Sequence, residues 1–212
     1  MSRLLITGFE PFGGELVNPS ALAAERLAAD GFAGWQTDRL VLPVIRYRAA
    51  ELVIAAISRQ MPDAVVLLGQ AGGRGRITPE RVAINVDDYR RPDNAGNQPV
   101  DEPIIADGPA AYFAHLPVKL MAERMRAAGA PAILSNTAGT YLCNHVAYAV
   151  LHHIATRGLP VRAGFIHVPY LPEQAARHEV ETPSLSMETL THGLRAGIEA
   201  ALASLTPAPV AV

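Results

Sequence analysis

Residues 64–68 read AVVLL, five apolar residues in succession, and Gly69 ends the run. An apolar run without alternation is typical of a strand buried on both faces, as in a parallel sheet covered by helices. Short apolar runs at Leu4–Thr7 and Ala163–His167 indicate two more strands of the same kind. The sequence therefore predicts a buried parallel sheet around which the rest of the chain is organised.

Alanine-rich segments between these runs predict helices. Asn18 is a suitable N-cap, with Pro19 at the first helical position, for a helix that ends near Ala29. The other predicted elements are strands at Arg39–Pro43 and Ala132–Leu134, and helices at Arg46–Arg59, Val118–Ala128, Cys143–Thr156 and Glu188–Ser204. Such alternation of strands and helices predicts an α/β fold, a mostly parallel twisted sheet flanked by helices in an α/β/α sandwich.

The middle of the chain breaks this regularity. Gly, Asp, Asn and Pro are frequent from Gly69 to Gly108, and only Arg81–Val86 has the character of a strand. Unstructured connections of this length are uncommon, so we expect a functional excursion or a hairpin around residues 70–108. We assign residues 1–206 to a single domain and expect residues 207–212 to be a frayed C-terminal tail.

Composition excludes several classes of protein. The chain has 212 residues, half of them hydrophobic, and a net charge of -2 from 18 basic and 20 acidic residues, which does not suggest a nucleic-acid partner. A single cysteine excludes an intrachain disulfide. No signal-peptide stretch opens the sequence, and no apolar run approaches the roughly 18 residues needed to span a membrane. We therefore expect a cytoplasmic protein without a membrane association.

Two glycine-rich stretches, GFEPFGG at residues 8–14 and GQAGGRGR at residues 69–76, follow predicted strands. Neither matches the spacing of a dinucleotide-binding or phosphate-binding loop. In the first stretch Pro11 and two phenylalanines would also crowd a backbone cradle for phosphate. The sequence gives no support for nucleotide binding.

Cys143 is a candidate nucleophile. It follows the polar segment SNTAGTYL and opens a predicted helix. The unpaired N–H groups of a helix start favour a thiolate, so we expect a lowered pKa for Cys143, and the same groups can hold an oxyanion. The alternative is a buried cysteine that acts only as a small hydrophobic residue.

A cysteine nucleophile needs a base and a group that orients the base. Of the seven histidines, His167 ends a predicted strand in the same layer as Cys143, whereas His145 lies two residues further along the helix and points to another face. The residues alone do not choose the orienting carboxylate. The candidates are Glu80, Asp87, Asp88, Asp93 and Asp101.

Four blocks of sequence, in this order, resemble the pyroglutamyl-peptidase I family. They are GFEPFGG with Asn18-Pro19-Ser20, GRGRITPERVAINVDDYRRPDNAGNQP at residues 73–99, SNTAGTYLCN at residues 135–144 and GFIHVPYLPEQ at residues 164–174. The resemblance implies a catalytic triad of Glu80, Cys143 and His167, and a single-domain α/β protein. It also implies a homotetramer that uses no metal and no cofactor. The function it implies is a cysteine peptidase that removes an N-terminal pyroglutamyl residue from peptides.

Pyroglutamate has a neutral lactam in place of a free ammonium group, so its pocket should combine an aromatic slot with amide hydrogen bonds. Phe9 and Phe12 are expected to hold the ring, Gln70 is expected to bind the lactam, and Arg90 is expected near the oxyanion. The expected substrate-binding residues are Phe9, Phe12, Asn18, Gln70, Arg90 and Leu142.

One departure from the family pattern lies in the loop around Arg90, and two alternative functions stay open. Tyr89 and Arg91 flank Arg90 where the family resemblance leads us to expect smaller or apolar residues. An α/β enzyme that binds a nucleoside or sugar phosphate, with an incidental cysteine, is the main alternative. A non-catalytic binding protein on the same scaffold is the second.

Overall fold

The computed structural model describes residues 1–205. In chain order the elements are β1 (Ser2–Phe9), α1 (Pro19–Asp30), β2 (Trp35–Leu42), α2 (Arg48–Gln60), β3 (Ala64–Gln70), β4 (Thr78–Pro79), β5 (Val82–Ile84), β6 (Ala111–Phe113), α3 (Val118–Ala127), α4 (Leu142–Arg157), β7 (Arg162–Val168), α5 (Pro172–Ala175) and α6 (Met187–Leu205).

A five-stranded sheet lies at the centre, in the order β2-β1-β3-β7-β4. The first four strands are parallel, and only the two-residue β4 runs antiparallel, at the edge beside β7. The predicted α/β class with a mostly parallel sheet is confirmed. From β1 the chain moves to β2 on one side and then crosses to β3 on the other side of β1. The strand order therefore reverses between β1 and β3, and open α/β sheets usually bind ligands at the carboxyl ends of the strands at such a point.

Helices cover both faces of the sheet, and every residue of β3 is buried. Val65 and Leu67 belong to the hydrophobic cluster that includes residues of α2 and α4. Ala64, Val66 and Leu68 belong to the opposite cluster, with α1, α3 and α6. Since side chains alternate along a strand, Gly69 at the end of β3 lies on the α2/α4 face.

The ends of the helices follow from local sequence. The side-chain oxygen of Asn18 accepts a hydrogen bond from the backbone N–H of Ser20 at 3.1 Å, and Pro19 begins α1, as predicted. Gly158 ends α4 in a left-handed conformation with a φ of 58°, which glycine adopts without a steric penalty. These caps fix where each helix begins and ends relative to the sheet.

Two predicted elements differ in the structure. Ala132–Leu134 does not form a strand, because its neighbour β4 is too short to extend a ladder; only isolated bridges of Ala132 to Ile77 and Ser135 to Glu80 remain. In the excursion, the predicted strand 81–86 shortens to β5, which pairs with β6 in a separate antiparallel sheet. The expected excursion therefore exists, but the long connection of residues 85–110 separates the two paired strands, so they do not form a hairpin, and the second strand lies at residues 111–113, beyond the predicted limit.

The predicted tail at residues 207–212, and residue 206 of the predicted domain, lie outside the described residues. Within residues 1–205, no helix is both long enough and apolar enough to cross a membrane.

Candidate active site

Cys143 lies at the carboxyl edge of the sheet, as the second residue of α4. A Cβ atom placed on Gly69 would lie 2.9 Å from the sulfur of Cys143, so the thiol rests against the end of β3. Gly69 is in register with His167 on the neighbouring strand β7. Phe165 packs in the α2/α4 cluster, and His167, two residues further on, therefore points to the same face. The structure thus brings Cys143 and His167 to one side of the same glycine.

Glu80 is hydrogen-bonded to His167. Its Oε1 lies 2.8 Å from Nδ1 of His167, and both side chains are buried. The backbone N–H of Glu80 donates to the carbonyl of Phe165 at 2.9 Å, which fixes the carboxylate beside β7. With Nδ1 engaged, the other ring nitrogen of His167 is the one available for proton transfer, as in a triad.

The rival carboxylates are placed elsewhere. Asp87 is bonded to His145 and to Arg46, each at 2.8 Å. Asp93 accepts hydrogen bonds from neighbouring backbone N–H groups, including that of Arg46 at 2.7 Å, and its pKa is lowered because these bonds outweigh burial. Asp88 and Asp101 are exposed. Among the five candidates, only Glu80 is hydrogen-bonded to His167.

The pKa of Cys143 is raised to about 12, so the expectation of a lowered pKa is wrong. Burial is the largest cause and the charge of Glu80 adds to it, while Arg74 and the backbone N–H of Cys143 act in the opposite direction. Cys143 is partly exposed as a residue. The protein atoms packed around its sulfur nevertheless raise the pKa of the thiol more than the helix start lowers it. Burial also lowers the pKa of His167, with a further contribution from Arg74, against the opposing effect of Glu80.

A small cavity of about 30 Å³ adjoins Cys143. Apolar side chains form most of its wall, with Gln70 and Asn18 as the polar members. The lining residues are Phe9, Phe12, Asn18, Val44, Gln70, Tyr141, Leu142 and Cys143. Five of the six predicted substrate-binding residues therefore surround one space beside the thiol.

Gln70 is held in place by a second glutamine. Nε2 of Gln174 donates to Oε1 of Gln70 at 3.0 Å, and the buried Gln174 also contacts the carbonyl of Val17 at 3.3 Å. Because the oxygen of Gln70 is engaged, its Nε2 group is left to donate to another acceptor. Asn18 differs, since its Oδ1 accepts from Ser20 while its Nδ2 donates to the carbonyl of Glu10 at 3.0 Å. Asn18 therefore lines the cavity with its polar atoms already engaged by the protein.

A wider groove of about 490 Å³ shares Phe12, Gln70 and Tyr141 with the cavity. Arg90 and Arg91 line this groove and are exposed, and neither lines the small cavity. Because Arg90 does not line the cavity beside the thiol, the structure gives no support for its expected position near the oxyanion. Tyr89 is buried, with its ring 4.5 Å from that of Tyr141.

The first turn of α4 also holds the excursion. Asn144 accepts a hydrogen bond from the N–H of Ile84 at 2.9 Å and donates to the carbonyls of Ile84 and Val86 at 2.9 and 3.0 Å. His145 bonds Asp87 further along the same segment. Leu142 of the cavity wall, the candidate nucleophile Cys143 and the two anchors Asn144 and His145 are thus consecutive in sequence.

Sequence reasoning missed four residues of the site: Val44, Gly69, Arg74 and Tyr141. Tyr141 stood inside the block 135–144 and Arg74 inside the block 73–99, so both were visible as members of those blocks. Val44 follows β2, a strand end that the sequence did not mark as part of the site. Among residues 1–205, no group of three or more His, Cys, Asp and Glu side chains is arranged to hold a metal ion.

Gly69 leaves room for the thiol, and this gives a testable prediction. In Gly69→Ala the new Cβ would meet Cζ of Phe165 at 2.6 Å and the sulfur of Cys143 at 2.9 Å. Since a misplacement of about 1 Å can lower a rate about 10²-fold, we expect the kcat of any Cys143-dependent reaction to fall by about that factor. Gly75→Ala, whose nearest atom would be 3.2 Å away, is the matched control. Equal rates in both variants would contradict the close contact.

Comparison with known proteins places the chain in a family. The model of the pyroglutamyl peptidase family matches residues 2–204. A pyrrolidone-carboxylate peptidase of Vibrio vulnificus is 54% identical over 92% of this chain and 90% of its own, and one of Streptomyces coelicolor is 53% identical over 98% and 94%. The structure of pyroglutamyl peptidase I from Bacillus amyloliquefaciens aligns with a TM-score of 0.90 at 44% identity, over 95% of each chain. A mutant pyrrolidone carboxyl peptidase from Pyrococcus furiosus aligns with a TM-score of 0.92 at 42% identity, over 96% of this chain and all of the other. This chain belongs to the pyroglutamyl peptidase family.

Proposed function

We propose that the chain hydrolyses the peptide bond that follows an N-terminal pyroglutamyl residue. The observation that carries the proposal is the Glu80–His167 hydrogen bond on the same sheet face as Cys143, which lines a small, mostly apolar cavity. The relatives named above are pyroglutamyl or pyrrolidone-carboxylate peptidases, which supports the same activity here.

In the proposed reaction the resting pair is a neutral thiol beside a neutral imidazole, because the pKa of Cys143 is raised and that of His167 is lowered. His167 takes the proton of the thiol as the sulfur attacks the pyroglutamyl carbonyl carbon. Backbone N–H groups at the start of α4 hold the resulting oxyanion. Glu80 keeps the imidazole oriented and stabilises it while it carries the proton.

The second half of the reaction returns the enzyme to its resting state. His167 gives its proton to the nitrogen of the leaving peptide, the C–N bond breaks, and a thioester remains on Cys143. Water then attacks the thioester with His167 as the base, and the sulfur leaves with a proton as pyroglutamate is released. Each proton taken from the thiol or from water is thus given to a leaving group, so water is the only reactant consumed besides the peptide.

The side chains that line the cavity suit the chemistry of a neutral five-membered lactam. Phe9 and Phe12 provide aromatic wall, and the Nε2 group of Gln70, oriented by Gln174, is a suitable donor for the lactam oxygen. Among the residues that the structure describes, no carboxylate lines the cavity, so a charged terminal amine would lose its water without gaining a partner. The wider groove, which begins at Phe12 and Tyr141, would take the residues of the leaving peptide.

This selectivity can be measured with matched chromogenic amides of pyroglutamate and proline. We expect wild-type kcat/KM for the prolyl amide to be lower by at least about a hundredfold, since each unpaired buried polar group costs about 1–3 kcal/mol and a charged one more. Equal turnover of both amides would exclude a lactam pocket. Absence of turnover of the pyroglutamyl amide, by folded protein, would refute the proposed function.

The aromatic wall has its own test. Phe9→Ala and Phe12→Ala should lower kcat/KM for the pyroglutamyl amide through lost packing on the ring, while alkylation of Cys143 by a small reagent persists. Phe113→Ala is the matched control, because Phe113 is 71% exposed and lies in β6. Unchanged kinetics in both cavity variants would show that the ring of the substrate binds away from β1 and the loop that follows it.

The homotetramer and the cytoplasmic location stay predictions.

A further inference from the structure

Arg74 connects three parts of the site. It lies in the loop between β3 and β4, with a side chain 31% exposed. Its Nη1 group donates to Oε1 of Glu80 at 2.6 Å and to the hydroxyl of Thr78 at 2.7 Å. Its Nη2 group donates to the backbone carbonyl of Thr137 at 3.1 Å. One guanidinium therefore spans the carboxylate beside His167 and the loop that leads into α4.

The carboxylate of Glu80 depends on few donors. Its side chain is only 2% exposed, and Oε1 receives close hydrogen bonds from Arg74 and the ring of His167 and a long one, at 3.5 Å, from the hydroxyl of Thr78. Among residues 1–205, its other oxygen, Oε2, is buried without a hydrogen-bond partner. A buried carboxylate needs a close partner, so the position and the rotamer of Glu80 rely on the guanidinium.

The contact with Thr137 extends this effect towards the nucleophile. Thr137 belongs to residues 135–141, the loop that runs directly into Leu142 and Cys143 at the start of α4. A guanidinium holds two separate acceptors in a rigid plane, which the single ammonium of lysine does not. Arg74 thus fixes the distance between the glutamate and this loop.

We propose that Arg74 is a positioning residue, which holds the carboxylate of Glu80 on His167 and locks the loop that presents Cys143. The inference rests on the proposed peptidase activity. Arg74 also lies close enough to lower the pKa of both His167 and Cys143 by its charge. It does not line the small cavity, so its effect should fall on the chemical step rather than on substrate binding.

The test compares Arg74→Met and Arg74→Lys with Arg76→Met, which removes the same charge from an exposed position two residues away. With a pyroglutamyl amide as substrate, Arg74→Met should lower kcat by about 10²-fold and change KM by less than about twofold. Loss of the charge also raises the pKa of His167, so the acid limb of the kcat/KM profile should move to higher pH. Arg74→Lys keeps the charge, so its acid limb should stay near that of wild type while kcat falls by about tenfold.

Wild-type kcat and an unmoved acid limb in Arg74→Met would overturn the inference, and so would an equal loss in Arg76→Met. If Arg74→Met does not fold, Arg74→Lys decides the question. A wild-type kcat in that variant would contradict the need for a guanidinium that bonds Glu80 and Thr137 at the same time. The proposed function is tested separately by wild-type protein, which must hydrolyse the amide whatever the Arg74 variants do.

Discussion

Cys143→Ala is expected to fold like wild type and to hydrolyse a pyroglutamyl amide no faster than the uncatalysed background. The sulfur is the atom that forms the thioester, and Cys143 is the only cysteine of the chain, so no other thiol can replace it. The measurement is release of the chromophore, with thermal unfolding to show that the variant is folded.

Cys143→Ser keeps a weaker nucleophile of similar shape and serves as the matched control for the space that alanine leaves. Alkylation of wild type by one equivalent of a small reagent should give the same loss as Cys143→Ala. Substantial activity in a folded, cysteine-free variant would refute the mechanism, and would favour the alternative in which the cysteine is incidental.

His167→Ala is expected to lower kcat by about 10²–10⁴-fold, the range that a positioned base contributes. Since the pKa of Cys143 is raised to about 12, its thiol is protonated at neutral pH and needs a neighbouring base. Alkylation of Cys143 near pH 7 should therefore slow in the same variant. The lowered pKa of His167 places the acid limb of the wild-type kcat/KM profile below about 6.5, the ordinary value for histidine.

His145 offers a matched control, because it also bonds a buried carboxylate through Nδ1, at 2.8 Å from Asp87. Its ring packs against Tyr47, with centroids 5.2 Å apart, and not against the strand ends that surround the thiol. His145→Ala should lower the free energy of unfolding by about 1–3 kcal/mol, because Asp87 loses a donor, with a much smaller loss of kcat. Equal losses of kcat in His145→Ala and His167→Ala would contradict the assignment of the base.

Glu80→Gln should lower kcat in a folded protein, since it removes the charge that stabilises protonated His167.

The sequence predicted most of the sheet because its strands carry the signal locally. The apolar run at residues 64–68 lies in a strand buried on both faces, and Asn18-Pro19 marks the start of α1 as expected. His167 was found because the end of an apolar run also marks the edge of a sheet. Glu80 came from the family resemblance, since its distance from His167 depends on how β4 turns back beside β7.

The remainder depends on contacts between distant segments. Arg74 reaches Thr137 across 63 positions, and Asn144 reaches Ile84 across 60, so no local pattern indicates either contact. The direction of the Cys143 pKa was missed for a similar reason. A helix start can be read from the sequence, but the burial that outweighs it depends on the packing around the thiol.

The order Cys143-Asn144-His145 has a consequence for how this protein can change. Each step along a helix turns the side chain by about 100°, so these three neighbours face the thiol site, the backbone of β5 and Asp87 in turn. An insertion or deletion of one residue in this turn would rotate all three away from their partners at once. Substitutions can alter the three functions one at a time, but a change of length here would remove them together. Natural variation in chain length is therefore expected in loops away from the first turn of α4.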